Sequence, residues 1–135
     1  MKIIQIVLIL FISTLSVSVA DKTKKVHQNL NAEKSKALIE SYNKSKNKLI
    51  IIDVRTQEEY AKGHLPHAKL IDFFDDKFEK KIKALDKKLP YLIHCQSGGR
   101  SMKAFKIMKT LGFEKVFHLD GGIISWKSSG NRLED

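Results

Sequence analysis

Cysteine is nearly absent from this sequence: Cys95 stands alone among 135 residues, so no internal disulfide can staple the fold. Proline is almost as scarce, with two residues, and no stretch of linker composition separates one part from another. There is no internal repeat, and 135 residues suffice for one domain but not for two. Apolar runs are short. The run at residues 3–12 is interrupted by Gln5 and falls below the ~20 residues a membrane span needs. Aromatic residues make up 8% of the chain and do not interleave with the lysines, which removes the base-stacking pattern of nucleic-acid binders.

Basic residues are plentiful. Lysine and arginine number 25 against 15 acids, a formal charge of +10. The excess is mostly lysine at residues 22–25, 44–48 and 77–88, interleaved with acids on predicted helix faces and in loops. Such a surface is solvated and draws in small anions, and no nucleic acid is expected as a partner. The N-terminus has its own pattern: Lys2, the apolar run, then small residues ending Ser18-Val19-Ala20 before Asp21. That order predicts a signal peptide over residues 1–20 and an exported, periplasmic domain over residues 21–135. No cysteine adjoins the cleavage point, so neither a lipid anchor nor stable membrane association is expected after cleavage; an uncleaved anchor is the alternative. A lone thiol in an oxidising space is either buried or kept for chemistry.

Strand and helix patterns alternate through the rest of the chain. Residues 26–30 read as a short strand, and Asn31 as the N-cap of a helix over residues 33–42. The continuous apolar run Leu49-Ile50-Ile51-Ile52 reads as a strand buried on both faces. Thr56 with Glu59 predicts a capping box opening a short helix, closed by Gly63. A brief strand at residues 69–71 precedes a helix capped by Asp75 or Asp76, with Phe78, Ile82 and Leu85 on one face. Pro90 stops that helix before a strand over residues 91–94. A helix through Met102, Phe105, Met108 and Leu111 follows, then a strand at residues 116–119 and a last helix anchored by Trp126. Residues 129–135 read as frayed. The alternation predicts an α/β fold with a mostly parallel central sheet and helices on both faces.

Between the fourth strand and its helix lies the stretch with chemistry, Cys95-Gln96-Ser97-Gly98-Gly99-Arg100-Ser101. A thiol at a strand's carboxyl end occupies the place where open α/β sheets bind ligands. The loop amides and the helix N-terminus favour negative charge there, and thiolate, not thiol, is the nucleophile. An inert core cysteine would account for the sulfur, but not for two glycines and an arginine beside it.

In three blocks the sequence resembles a single-domain rhodanese, a sulfurtransferase. The first is Ile51-Ile52-Asp53-Val54-Arg55 with Glu58-Glu59-Tyr60 and Gly63-His64-Leu65-Pro66; the second is Cys95 to Ser101; the third is Leu119-Asp120-Gly121-Gly122 with Trp126. His67 departs from the pattern, since the family often has glycine after the proline. The resemblance implies that Cys95 takes a sulfane sulfur as a persulfide and passes it to cyanide or a thiol. The partners it implies are small sulfur-containing anions and thiol acceptors, with a sulfur-accepting protein as the alternative.

Within this resemblance, the amides of residues 96–100 form a nest around the sulfur, Arg100 holds the oxygens of an anionic donor, and Ser101 starts the helix. Gln96, Ser97, Gly98, Gly99, Arg100 and Ser101 are thus the candidate substrate-binding residues. Asp53, Arg55 and Glu59 are expected to support the loop, with an ion pair between Arg55 and Glu59. His94 points away from the sulfur by strand alternation and is not a general base. Neither a metal nor a cofactor is expected, because His64 and His67 flank a proline turn with Cys95 as the sole soft ligand. Phosphatases of related shape place five or more residues between cysteine and arginine. Four separate Cys95 from Arg100 here. The tighter loop suits one sulfur atom, which disfavours a phosphatase or arsenate reductase. A carrier module that delivers sulfur to a partner protein with little free turnover is the second reading.

Overall fold

A computed structural model describes residues 24–135, so the expected signal peptide lies outside the described residues. Five parallel strands form one sheet in the order β1-β5-β4-β2-β3. They are β1 Val26–Leu30, β2 Ile50–Asp53, β3 Lys69–Leu70, β4 Pro90–His94 and β5 Lys115–Leu119. The helices between and after them are α1 Ala32–Lys44, α2 Gln57–Ala61, α3 Phe78–Lys83, α4 Gly99–Thr110 and α5 Gly122–Ser128.

The central strands carry apolar side chains on both faces, so each face needs a cover. Tyr91, Ile93 and Cys95 project from the β4 end of the sheet toward α3 and α4, where Ile82, Phe105 and Met108 close over them. Leu92 projects the other way, with Ile51, Phe117 and Leu119, toward Leu38 of α1 and Trp126 of α5. Ile93 is fully buried, and truncating such a side chain to alanine costs about 2–5 kcal/mol. Among the described residues no helix is long and apolar enough to cross a membrane.

The helix starts follow the local chemistry in part. Asn31 caps α1 by accepting from the Lys34 amide at 2.9 Å, and Thr56 and Glu59 form the capping box of α2. The expected cap of α3 is not made. Asp75 instead accepts from the Lys77 amide at 2.8 Å, which closes the turn before the helix, and α3 begins at Phe78 without a side-chain cap. The expected fraying of residues 129–135 is also overturned. Glu134 pairs with His64 through two backbone hydrogen bonds of 2.8 Å, and the Trp126 indole donates to the Arg132 carbonyl at 3.0 Å. Leu133 packs on the core beneath this bridge, so the tail has its own apolar anchor.

Candidate active site

β4 ends at His94, and the chain turns through residues 95–98 before α4 begins at Gly99. Gly98 has φ +105°, a conformation that costs glycine little and other residues much. That turn brings donors back onto the sulfur. Sγ of Cys95 accepts from the amide of Gly98 at 3.1 Å, the amide of Ser101 at 3.4 Å and the hydroxyl of Ser101 at 3.2 Å. Burial raises the thiol pKa, but the Ser101 and loop hydrogen bonds outweigh it and leave Cys95 below its ordinary value. The result favours thiolate.

The loop is held from three sides. From α5, the Ile123 amide donates to the Cys95 carbonyl at 3.0 Å and the Ile124 amide to the Gln96 carbonyl at 3.1 Å. From β2, buried Asp53 accepts from Arg55 at Nε and at the backbone amide, both at 3.0 Å. The guanidinium it fixes reaches the Gln96 side chain at 3.3 Å and the Gly63 carbonyl at 2.7 Å. From α2, Glu59 binds Arg100 end-on with two hydrogen bonds of 2.7 and 2.8 Å. The expected pair of Arg55 with Glu59 is therefore replaced by two others. Asp53, two residues away and buried with it, captures Arg55, while the capping box turns Glu59 toward Arg100.

The Arg100 pair holds Glu59 down to about pKa 2. Two of five guanidinium N–H donors are spent on it, leaving three for another anion. The ring centroid of Phe74, a residue 67% exposed, lies 5.6 Å from the guanidinium carbon. Beside Gln96 a cleft of about 360 Å³ is lined by Arg55, Lys62, Lys127 and Glu59.

Ser97 and Gly99 are exposed on the loop, whereas Gly98 and Ser101 are buried beneath it. The described donors to the sulfur include the amide of Ser101, one residue beyond the span predicted for the nest. His94 sits on the face opposite Cys95, as alternation predicts. Its Nε2 lies 3.7 Å from Asp53 without a hydrogen bond, and burial drives its pKa down to about 4. His64 stacks on Tyr60 with ring centroids 4.0 Å apart, and among the described residues no cluster of His, Cys, Asp and Glu could hold a metal ion.

Sequence reasoning missed Lys62 and Lys127 at the cleft, and the buried pair of His118 and Asn29. His118 of β5 is buried with Nε2 2.7 Å from the Ser101 hydroxyl, and its Nδ1 is 2.7 Å from Oδ1 of Asn29 on β1. For that pair, a histidine inside the apolar run Val116-Phe117-His118-Leu119 was the available signal, because a buried polar side chain needs a partner.

Comparison with known proteins gives a consistent picture. A family model described as a rhodanese-like domain matches residues 23–129. Sulfurtransferase YtwF of Bacillus subtilis is 39% identical over 79 residues, covering 58% of this chain and 74% of that protein. Thiosulfate sulfurtransferase GlpE of Pseudomonas fluorescens is 31% identical over 80 residues, 59% of this chain and 72% of that one. The tRNA uridine(34) hydroxylase of Cytophaga hutchinsonii is 34% identical over 110 residues, 78% of this chain but only 33% of its own length. Among solved structures, a rhodanese-like domain protein from Staphylococcus aureus matches with a TM-score of 0.63 at 28% identity, over 79% of this chain and 96% of that one. A rhodanese-related protein from Thermoplasma volcanium shares the fold with a TM-score of 0.68 at 24% identity, over 80% and 98% of the two chains.

Proposed function

The chain belongs to the rhodanese-like domain family, and from that premise we propose an exported sulfurtransferase that moves sulfane sulfur from a donor such as thiosulfate to cyanide or a thiol. The observation that carries this reading is the Cys95 sulfur itself, which accepts from two amides and one hydroxyl at 3.1–3.4 Å. Those donors favour an anionic sulfur without requiring a base in contact with it. In the reaction, the thiolate attacks the outer sulfur of thiosulfate. The S–S bond breaks, sulfite leaves with the electron pair, and Cys95 keeps the sulfur as a persulfide anion. The acceptor then attacks the terminal sulfur and regenerates the thiolate.

Both reactants are anions, so approach needs positive potential. Lys62 and Lys127 beside Gln96, with the remaining Arg100 donors, supply it for sulfonate oxygens and for anionic thiols. The names of the sulfurtransferase relatives support sulfur transfer, and thiosulfate appears in one of them. Export rests on the sequence of residues 1–20. N-terminal sequencing of protein from its native host is expected to begin at Asp21, and a chain retaining Met1 would remove the cleavage.

Intact mass after incubation with excess thiosulfate tests the chemistry. One nucleophile takes one atom, so the protein is expected to gain about 32 Da, lost again on adding cyanide or a small thiol. Cys95→Ser, which changes one atom in a polar loop, is expected to fold and gain nothing. A wild-type protein that gains no sulfur from any sulfane donor, or a serine variant that turns over, would end the reading. The carrier reading, with delivery to a protein acceptor, predicts the same mass gain without saturable steady-state turnover.

A further inference from the structure

Ser101 has one hydroxyl proton and three acceptors around it. Cys95 Sγ and the Gly98 carbonyl are each 3.2 Å away, and His118 Nε2 is closer, at 2.7 Å. The other nitrogen of that ring, Nδ1, lies 2.7 Å from Oδ1 of Asn29. An amide oxygen only accepts, so Nδ1 carries a proton and Nε2 of the neutral ring is left as an acceptor. Ser101 then donates to Nε2 and offers its own lone pairs to the Cys95 thiol. We propose that His118 is the proton acceptor for the Cys95 thiol, reached through the Ser101 hydroxyl and held in its tautomer by Asn29.

The step balances without a further reactant. The S–H bond breaks and its electron pair stays on sulfur. Ser101 Oγ takes that proton while its own passes to Nε2. Thiol and imidazole become thiolate and imidazolium, and the two hydrogen bonds on Ser101 reverse direction without any heavy atom moving. Ser101 now donates to the thiolate, which is the arrangement that lowers its pKa. His118 touches neither donor nor sulfur, so it is a positioning residue that acts through Ser101.

The fold builds this row deliberately from separate segments. Sheet register places Asn29 directly beside His118 on one side and Ile93 on the other. α4 covers the ring with Ser101 and with Phe105, whose ring centroid is 6.0 Å away. The titratable groups near it are Cys95 beyond Ser101, Asp120 at the end of β5 and His27 two residues before Asn29. Burial opposes the imidazolium and holds His118 below its ordinary value, while Asp120 and the Gly98 backbone favour the charged ring. The thiolate supplies the remaining stabilisation, so the two charges form together.

The assignment rests on Cys95 as the nucleophile but on no particular donor, and its test reads the thiol rather than sulfur transfer. Thiolate absorbance followed against pH is expected to shift upward by about one unit in His118→Gln, a tenfold loss of thiolate near neutrality. Asn29→Asp, at an exposed edge position, is expected to shift it downward by holding the imidazolium. Through space alone, a new carboxylate would shift it upward, so the sign separates a relay from simple charge repulsion. Nitrogen-15 spectra of the His118 ring are expected to show imidazolium near neutrality in the reduced wild type and a neutral ring in Cys95→Ser. An upward shift in Asn29→Asp, or a ring indifferent to the loss of Cys95, would overturn the proposal even if His118→Gln failed to fold. Failure of the sulfurtransferase reading would leave these titrations unchanged.

Discussion

The α-carbon of Gly122 lies against the carbonyl of Cys95, and a β-carbon there would overlap that oxygen and sit 2.8 Å from the Gln96 carbonyl. Gly122 also has φ +55°, in the left-handed region. The contact lets α5 present the Ile123 and Ile124 amides to the loop that carries Cys95. Gly122→Ala is expected to cost roughly 2–5 kcal/mol, from the left-handed backbone and the overlap together. Urea denaturation measures the loss. Sulfur loading of the remaining folded protein is expected to fall with it, because the loop must move away from α5.

His67 adopts φ +60°, the conformation that favours glycine, and its amide donates to the Glu134 side chain at 3.1 Å. The position where the family often has glycine is thus a strained one in this chain. A left-handed residue other than glycine costs about 1–2 kcal/mol, partly offset by the extra freedom glycine loses on folding. His67→Gly is expected to stabilise the protein by up to about 1 kcal/mol, read as a Tm several degrees higher. A lower Tm would show that the imidazole makes up for the backbone strain.

The parts legible in the sequence are those encoded by neighbours along the chain. Strand and helix periods point to a mostly parallel sheet with helices on both faces, and residues 95–101 are contiguous, so the candidate nucleophile Cys95 and its loop can be read directly. The Thr56 capping box lies within four residues and was equally visible. Partners that meet only after folding were not. Asn29, Ser101 and His118 come from two strands and a helix, and their contact depends on the register of β1 with β5. The exchange of partners among Asp53, Arg55, Glu59 and Arg100 likewise depends on which carboxylate is buried beside which cation. Residues 129–135 read as frayed from sequence because their anchors, His64 and Trp126, are distant or on the preceding helix.

His94 makes stability fall in mild acid. In the unfolded chain it binds a proton below about pH 6.5, whereas in the fold burial holds its pKa at about 4. Between those values the unfolded state carries the extra proton. The contribution is complete above pH 6.5 and is lost as the pH drops toward 4, by up to about 3 kcal/mol. Glu59 acts lower: its stabilisation is complete above about pH 4.5 and lost as the pH falls through about 2. Stability measured by urea at a series of pH values is expected to slope between 6.5 and 4 in the wild type. In His94→Gln the slope is expected to flatten, so any deficit of the variant against wild type narrows as the pH falls toward 4. An unchanged slope would move the titration to another group.

Arg100 and Glu59 make the last prediction a paired one. The guanidinium that would receive donor oxygens already holds a carboxylate through two hydrogen bonds. Removing it has two effects: three free donors disappear, and Glu59 is left as an unpaired negative charge beside the loop. Both oppose an anionic donor, and neither bears on a neutral alkylating reagent. Losing a charged hydrogen-bond partner is worth roughly 1.5–3 kcal/mol, so Arg100→Ala is expected to lower kcat/KM for thiosulfate by about 10- to 150-fold. Iodoacetamide alkylation of Cys95 at neutral pH is expected to change by less than about threefold, because the amides and hydroxyl on the sulfur remain. Adding Glu59→Gln to Arg100→Ala removes the stranded charge and is expected to restore part of the thiosulfate activity, although the capping box of α2 is weakened. Equal losses in both reactions would show that Arg100 acts through the thiol pKa. No recovery in the double variant would show that Glu59 matters only for holding α2 and Arg100 in place.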